Sequence, residues 1–150
     1  NINILMSYYP IADRFEFNVA LCQSVLASIN PRLVTAHPRI NEDGLSMEAI
    51  IIDQQTLFSV NRLNISEPLS GELIIPEAIE MIFVPLLAID HHGFRVGYGK
   101  GFYDRFLARC RPDIQKIGFS FFEPVLSIED IDQFDVPLSF CITPTRVYEF

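Results

Sequence analysis

Short apolar runs alternate with polar, turn-rich segments along the chain. Six stretches have the apolar content and length typical of β-strands: residues 2–9, 32–39, 45–52, 79–89, 115–122 and 138–148, the last as two short closing strands. Residues 16–29 instead place Val19, Cys22, Val25, Leu26 and Ile29 on one helical stripe. A second helical spacing follows residue 101, with Phe102, Phe106 and Leu107.

This alternation predicts an α/β fold in a single domain over residues 1–150. We expect three layers, with a mostly parallel, Rossmann-like sheet and helices on both faces. Polar segments separate these elements. Residues 56–64 are predicted as an irregular stretch or short helix and 70–77 as a surface loop, while Ser127 and the acids after it predict a short helix over 127–132.

The glycines are concentrated at one strand-to-helix junction. Four of the seven glycines fall between Gly93 and Gly101, after the long apolar run that ends at Asp90. Ordered glycine costs conformational entropy, so such a cluster indicates a sharply turning backbone or close approach to a ligand. Backbone amides and a helix N-terminus at this junction suit phosphate, and Arg95 and Lys100 add two cations.

Neither of two familiar phosphate-binding motifs fits this loop. A Walker A loop requires Ser or Thr after its lysine, whereas Gly101 follows Lys100. A Rossmann fingerprint has the spacing G-x-G-x-x-G, and here it is G-x-G-x-G. A tight turn without ligand is therefore the alternative interpretation of the glycines alone.

Composition narrows the classes of partner. The chain has 150 residues, 49% hydrophobic and 20% charged, with a net charge of −8 and only two lysines. Nucleic-acid binding needs a basic surface and is disfavoured, and no apolar run approaches the roughly 18 residues of a membrane span. Three scattered cysteines predict reduced thiols and a cytoplasmic location. The cations gather in one region: Arg95, Lys100, Arg105, Arg109 and Arg111.

The run R-V-G-Y-G-K-G-F-Y-D, residues 95–104, resembles the signature of the 5-formyltetrahydrofolate cyclo-ligases, also called methenyltetrahydrofolate synthetases. Weaker similarities extend over nearly the whole chain: Glu16-Phe17-Asn18-Val19, Asn64-Ile65-Ser66-Glu67-Pro68, Ala88-Ile89-Asp90 and Phe134-Asp135-Val136-Pro137-Leu138. The resemblance implies the same α/β architecture. It also implies ATP and Mg²⁺ as cofactors and 5-formyltetrahydrofolate as a substrate that is closed to 5,10-methenyltetrahydrofolate, with release of ADP and phosphate.

Site residues follow from the same resemblance. Arg95 and Lys100 would be catalytic, and Asp104 and Asp135 would bind Mg²⁺. Substrate would contact Glu16, Met47, Tyr98 and Phe102. The nucleotide would lie on the loop formed by Arg95, Val96, Gly97, Tyr98, Gly99, Lys100, Gly101, Phe102 and Tyr103.

Departures from the family pattern keep a second hypothesis open. Val19 replaces a threonine, Phe134 a histidine and Ser139 an acid, and His37 stands where the family has leucine. In the family, an N-terminal helical segment supplies a lysine and an arginine to ATP, and we expect the domain of residues 1–150 to lack this segment. The alternatives are an active cyclo-ligase, as a monomer or weak homodimer, and a catalytically impaired folate- or nucleotide-binding protein. Arg14 competes with Glu16 for alignment with the family's folate-binding glutamate.

Overall fold

The computed structural model of the protein describes residues 2–11, 14 and 16–150. Within these ranges it has twelve strands and two α-helices. In chain order they are β1 Ile4–Met6, α1 Ala20–Ile29, β2 Val34–Ile40, β3 Met47–Ile52, β4 Phe58–Val60, β5 Ser66–Pro68, β6 Leu73–Ile74, β7 Met81–Val84, β8 Ala88–Ile89, β9 Arg95–Val96, α2 Phe102–Leu107, β10 Gln115–Phe119, β11 Phe140–Ile142 and β12 Val147–Glu149.

Eight strands form the central sheet, in the order β12-β11-β10-β7-β1-β2-β3-β6. The five strands from β11 to β2 pair in parallel, and the outer strands β12, β3 and β6 pair antiparallel. Two hairpins lie outside it, β4–β5 and β8–β9. The predicted α/β class and mostly parallel sheet are confirmed.

Both faces of the sheet are apolar, because successive side chains of a strand point to opposite faces. Met6 belongs to a cluster with Phe106 and Leu107 of α2, whereas Leu5 belongs to a cluster that includes Val19 and is bordered by Leu26 of α1. Each face therefore has one described helix against it. The fuller three-layer arrangement, with helices covering both faces, remains a prediction.

Helix α1 is shorter than predicted and buries only part of its stripe. It begins at Ala20, not at residue 16, and Val19 is buried beneath its first turn. Val25 and Ile29, expected on the packed face, are 49% and 71% exposed. The helix thus contacts the sheet along a narrower line than its hydrophobic spacing indicated.

Proline breaks the predicted central strand. The apolar run 79–89 forms two strands, β7 and β8, which belong to different sheets, with Pro85 between them. Proline cannot donate to a sheet ladder, so the chain leaves the central sheet after Val84. This exit carries the next residues toward the glycine loop.

Three other local predictions were wrong. The stretch predicted as irregular or helical contains β4, which pairs with β5, and the predicted surface loop contains β6. Residues 127–132 form no helix; instead the Ile128 amide donates to the buried carboxylate of Asp90. Among the described residues no helix has the length and apolar character to cross a membrane, and all three cysteines are free thiols.

Candidate active site

A cavity of about 520 Å³ opens where the parallel strands end. Tyr8 and Tyr9 follow β1 into it, Ile40 ends β2 there, and Pro85 follows β7. Its volume lies in the range of roughly 300–1,000 Å³ that small-molecule sites occupy. All the residues predicted for the site line this one cavity: Glu16, Met47, Arg95, Val96, Gly97, Tyr98, Gly99, Lys100, Gly101, Phe102, Tyr103, Asp104 and Asp135.

The glycine loop leaves the β8–β9 hairpin and enters α2. Gly99 and Gly101 have φ of 71° and 63°, in the left-handed region that side chains disfavour, and Gly101 caps α2. A Cβ placed on Gly97 or Gly99 meets no atom within 4 Å, so this backbone borders open space. Because α2 has only six residues, its dipole contributes less to phosphate binding than expected. The expectation of a phosphate site therefore rests on the loop amides and Lys100.

Only part of the cation cluster reaches the cavity. Arg105 of α2 donates to the carbonyl oxygens of Leu45 and Lys100, and Arg109, just after α2, donates to that of Met47. Both arginines therefore attach this part of the chain to the start of β3. Arg111 pairs with Asp113. Arg95 and Lys100 line the cavity, as does Arg14.

Arg95 and Asp104 form an ion pair beside the loop. Nη2 of Arg95 lies 2.9 Å from Oδ1 of Asp104, and Nη1 donates to the Val136 carbonyl at 2.7 Å. The arginine side chain is 6% exposed and the aspartate 20%. The guanidinium therefore joins the predicted nucleotide loop to the segment that carries Asp135.

Asp104 and Asp135 approach each other through Val136. The Val136 amide donates to Oδ1 of Asp104 at 3.1 Å, which brings the residue after Asp135 to the first carboxylate. Asp135 itself accepts from the Asp132 amide at 2.8 Å. Within the described ranges, no three His, Cys, Asp or Glu side chains cluster as a metal cage. Mg²⁺ needs only one or two protein carboxylates when phosphates and waters complete its shell, so this pair fits that ion.

Tyr98 connects the loop to the segment before α1. Its hydroxyl donates to Oε1 of Glu16 at 2.6 Å, although the two residues are 82 positions apart. Oε2 of Glu16 accepts from the Ile11 amide at 2.6 Å. Burial and the carboxylate of Glu16 raise the pKa of Tyr98, so the phenol stays protonated.

Arg14, which competes with Glu16 for alignment with the family's folate-binding glutamate, also contacts Tyr98. The Arg14 guanidinium carbon lies 4.4 Å from the centre of the Tyr98 ring, on which it stacks. Both candidates thus contact Tyr98, Glu16 through the hydroxyl and Arg14 through the ring face. The neighbouring phenol of Tyr8 is also held neutral, because burial, with Glu16 next in importance, raises its pKa.

Two buried acids were missed as contributors to the site. Asp90 is fully buried and accepts backbone hydrogen bonds from His92, Phe94 and Ile128, so it holds the turn before β9 and the loop opposite. Glu67 is 8% exposed and lines the cavity. The short spacing from Asp90 to Gly93 was a turn signal. Glu67 lies in the run of residues 64–68 that resembles the family, but no role was predicted for it.

His37 lies beside the cavity, not in its lining. It is 1% exposed and packs against Tyr9, with ring centres 4.6 Å apart, and neither of its ring nitrogens has a hydrogen-bond partner within the described chain. Burial lowers its pKa to about 4. The neutral ring supports Tyr9 from behind.

The fold and the site define an α/β protein with a ligand-sized cavity at the carboxyl ends of its parallel strands, bordered by a glycine loop and two acids. The chain belongs to the 5-formyltetrahydrofolate cyclo-ligase family, whose pattern it matches over residues 20–144. The resemblance based on residues 95–104 is thereby confirmed.

Relatives and solved structures agree with this membership. The chain is 32% identical to the 5-formyltetrahydrofolate cyclo-ligase of Escherichia coli K12 over 99 residues, which are 64% of this chain and 54% of the relative. It is 28% identical to that of Mycoplasma pneumoniae over 83 residues, 55% of this chain and 46% of the relative. The chain thus spans about half the length of these curated relatives.

The solved structures cover more of the fold. The 5,10-methenyltetrahydrofolate synthetase of Aquifex aeolicus superposes with a TM-score of 0.76 and 28% identity, over 99% of this chain and 72% of that one. The 5,10-methenyltetrahydrofolate synthetase from Mycoplasma pneumoniae superposes with a TM-score of 0.68 and 25% identity, over 94% of this chain and 73% of that one.

Proposed function

We propose that the protein cyclises 5-formyltetrahydrofolate to 5,10-methenyltetrahydrofolate in a reaction that consumes ATP and requires Mg²⁺. The observation that carries this proposal is the convergence of all the predicted site residues on one cavity. These residues come from four separated segments of the chain. A glycine loop kept only for a tight turn would not require Glu16, Met47 and Asp135 to meet it.

The proposed chemistry needs positioning and charge neutralisation more than a side-chain nucleophile. The γ-phosphoryl group passes from ATP to the formyl oxygen and leaves ADP. N10 then attacks the activated formyl carbon, and ring closure expels phosphate with that oxygen. Lys100 and the amides of the glycine loop would hold the phosphates, and Arg95, which pairs with Asp104, would stabilise the negative charge that develops on them.

Asp104 and Asp135 would hold Mg²⁺, which supplies charge neutralisation at the phosphates when it is bound. The ion pair with Arg95 fixes the position of the Asp104 carboxylate. Asp135 is positioned by the Asp132 amide. Both acids would therefore meet the ion with little rearrangement.

The folate would contact Glu16, Met47, Tyr98 and Phe102. Tyr98 donates a hydrogen bond to Glu16, so the carboxylate is oriented before substrate arrives. Phe102 and Met47 provide apolar surface for the flat ring system. The free thiols are in keeping with a cytoplasmic protein.

The testing experiment mixes the full-length protein with 5-formyltetrahydrofolate, ATP and Mg²⁺ and follows the near-ultraviolet absorbance of the methenyl product. Growth of this absorbance only when ATP is present supports the proposal. A folded sample that binds both ligands without turnover would favour the alternative, a catalytically impaired binding protein. The departures from the family pattern at Val19, Phe134 and Ser139 support that alternative.

A further inference from the structure

Glu67 occupies an unusual position for a carboxylate. It lies in β5, opposite Ser59 of β4, and is only 8% exposed. Its Oε1 accepts a hydrogen bond from the Ile40 amide at 2.7 Å, at the end of β2. This bond attaches the β4–β5 hairpin to the central sheet and fixes the side chain at the cavity wall.

No cation among the described residues forms an ion pair with the Glu67 carboxylate. Ion pairs among the described residues join Arg39 to Glu48, Arg95 to Asp104 and Arg111 to Asp113, and none includes Glu67. Within the same ranges its Oε2 accepts no hydrogen bond. Burying an ionised carboxylate is costly unless donors satisfy it. The cavity is where donors for Oε2 can enter.

The surroundings of Glu67 suit a flat, largely apolar ring. Side chains that line the cavity on this wall are Ile40, Met47, Leu63 and Ile65. Glu16, the other glutamate of the cavity, differs because each of its oxygens already accepts a bond, from Tyr98 and from Ile11. Of these two glutamates, Glu67 is therefore the one with an oxygen that accepts no hydrogen bond within the described residues.

We propose that Glu67 binds the donor edge of the pterin ring, accepting hydrogen bonds from the 2-amino group and N3–H. This inference rests on the proposed function and assigns one end of its substrate. The two donors are adjacent on the pyrimidinone ring, so they match the two oxygens of a carboxylate. Oε1 keeps a second lone pair for this contact beside the one that Ile40 occupies.

The same carboxylate discriminates against the other ligand of the reaction. The corresponding edge of adenine presents one amino donor beside a ring nitrogen that is an acceptor. A carboxylate facing that edge would make one hydrogen bond and one repulsive contact. Glu67 thus directs the folate head group, and not the adenine of ATP, to this wall of the cavity.

The test uses the full-length protein, the variant Glu67→Gln and calorimetric binding of two ligands. The glutamine amide oxygen can still accept from Ile40, whereas its NH₂ group faces the pterin donors. The second ligand is the 5-formyltetrahydrofolate analogue with methyl in place of the 2-amino group. Glu48→Gln is the matched control, since Glu48 pairs with Arg39 outside the cavity lining. Glu16→Gln is the competing variant.

We expect Glu67→Gln to bind 5-formyltetrahydrofolate at least tenfold more weakly, with ATP affinity and the control unchanged. The analogue should bind wild type more weakly than the natural ligand, and Glu67→Gln should lose that preference, which a merely structural role would leave intact. If Glu16→Gln loses the preference for 5-formyltetrahydrofolate over the analogue while Glu67→Gln keeps it, the inference is overturned. Wild type that binds no 5-formyltetrahydrofolate overturns the proposed function, and the inference with it.

A crystal structure of wild type with 5-formyltetrahydrofolate provides a measurement that needs no variant. The inference expects the 2-amino nitrogen or N3 within about 3.2 Å of a Glu67 oxygen. A pterin ring whose donor edge meets Glu16 or the backbone instead contradicts it.

Discussion

Arg95 donates from Nη2 to Oδ1 of Asp104 at 2.9 Å, and the arginine side chain is only 6% exposed. The pair joins the predicted phosphate-binding cation to a predicted metal ligand. Its second donation, to the Val136 carbonyl, includes the segment of Asp135. The residues predicted to bind nucleotide and Mg²⁺ therefore belong to one hydrogen-bonded unit.

Arg95→Ala should weaken binding of ATP–Mg²⁺ by about 1.5–3 kcal/mol, the value of a hydrogen bond to a charged group. The variant also leaves Asp104 without its cation. Calorimetry of ATP binding measures the effect, with Arg111→Ala as control because Arg111 forms an exposed ion pair with Asp113. Equal ATP affinity in the two variants would show that Arg95 does not contribute to ATP binding.

Asp104→Asn and Asp135→Asn should each raise the Mg²⁺ concentration required for half-maximal ATP binding. An amide is a neutral and weaker ligand for a hard cation than a carboxylate. We expect little change for Asp113→Asn, whose carboxylate is exposed and paired with Arg111. Mg²⁺ titrations that overlay for all three variants would show that the ion binds elsewhere.

Gly99→Ala and Gly97→Ala should separate backbone strain from ligand contact. Alanine at Gly99, where φ is 71°, should lower the free energy of unfolding by about 1–2 kcal/mol, whereas Gly97 has no positive φ and open space for a methyl. Denaturant unfolding measures this difference. If the loop backbone contacts phosphate, Gly97→Ala should still weaken ATP binding while its stability matches wild type. An unchanged free energy of unfolding in Gly99→Ala would show that alanine is not strained at this position.

His37 should make stability depend on pH. Burial lowers its pKa from 6.5 to about 4, so the unfolded chain binds the proton more tightly. The contribution of His37 is complete above pH 6.5 and lost as the pH falls toward 4, by about 3 kcal/mol at most. His37→Leu should abolish this part of the slope in urea unfolding between pH 7 and 4.5. A constant difference between the two proteins across that range would contradict the assignment.

The contiguous part of the site could be predicted because its signal is local. Residues 95–104 carry glycines, cations and an acid in one run, and the structure places all of them at the cavity. Glu67 gave a weaker signal, a short run over residues 64–68 that resembles the family without indicating a role. Its role depends on a bond to Ile40, 27 positions away, and on the β4–β5 hairpin, whose strands have three residues each.

Strand limits were hardest to predict where packing and proline compete. Hydrophobicity continues through residues 79–89, but Pro85 ends the ladder and separates β7 from β8. Similarly, Ser127 and its acids suit a helix start, yet the buried carboxylate of Asp90 takes the Ile128 amide. Tertiary hydrogen bonds overrode a local preference in that loop.

The most direct measurement of the proposed reaction follows the formyl oxygen. Full-length protein would convert 5-formyltetrahydrofolate carrying ¹⁸O in the formyl group, with ATP and Mg²⁺, and mass spectrometry would locate the label. Transfer of the γ-phosphoryl group to that oxygen predicts one ¹⁸O atom in the inorganic phosphate for each methenyl product formed. Label released into water, or no methenyl product from a folded sample that binds both ligands, would contradict the mechanism.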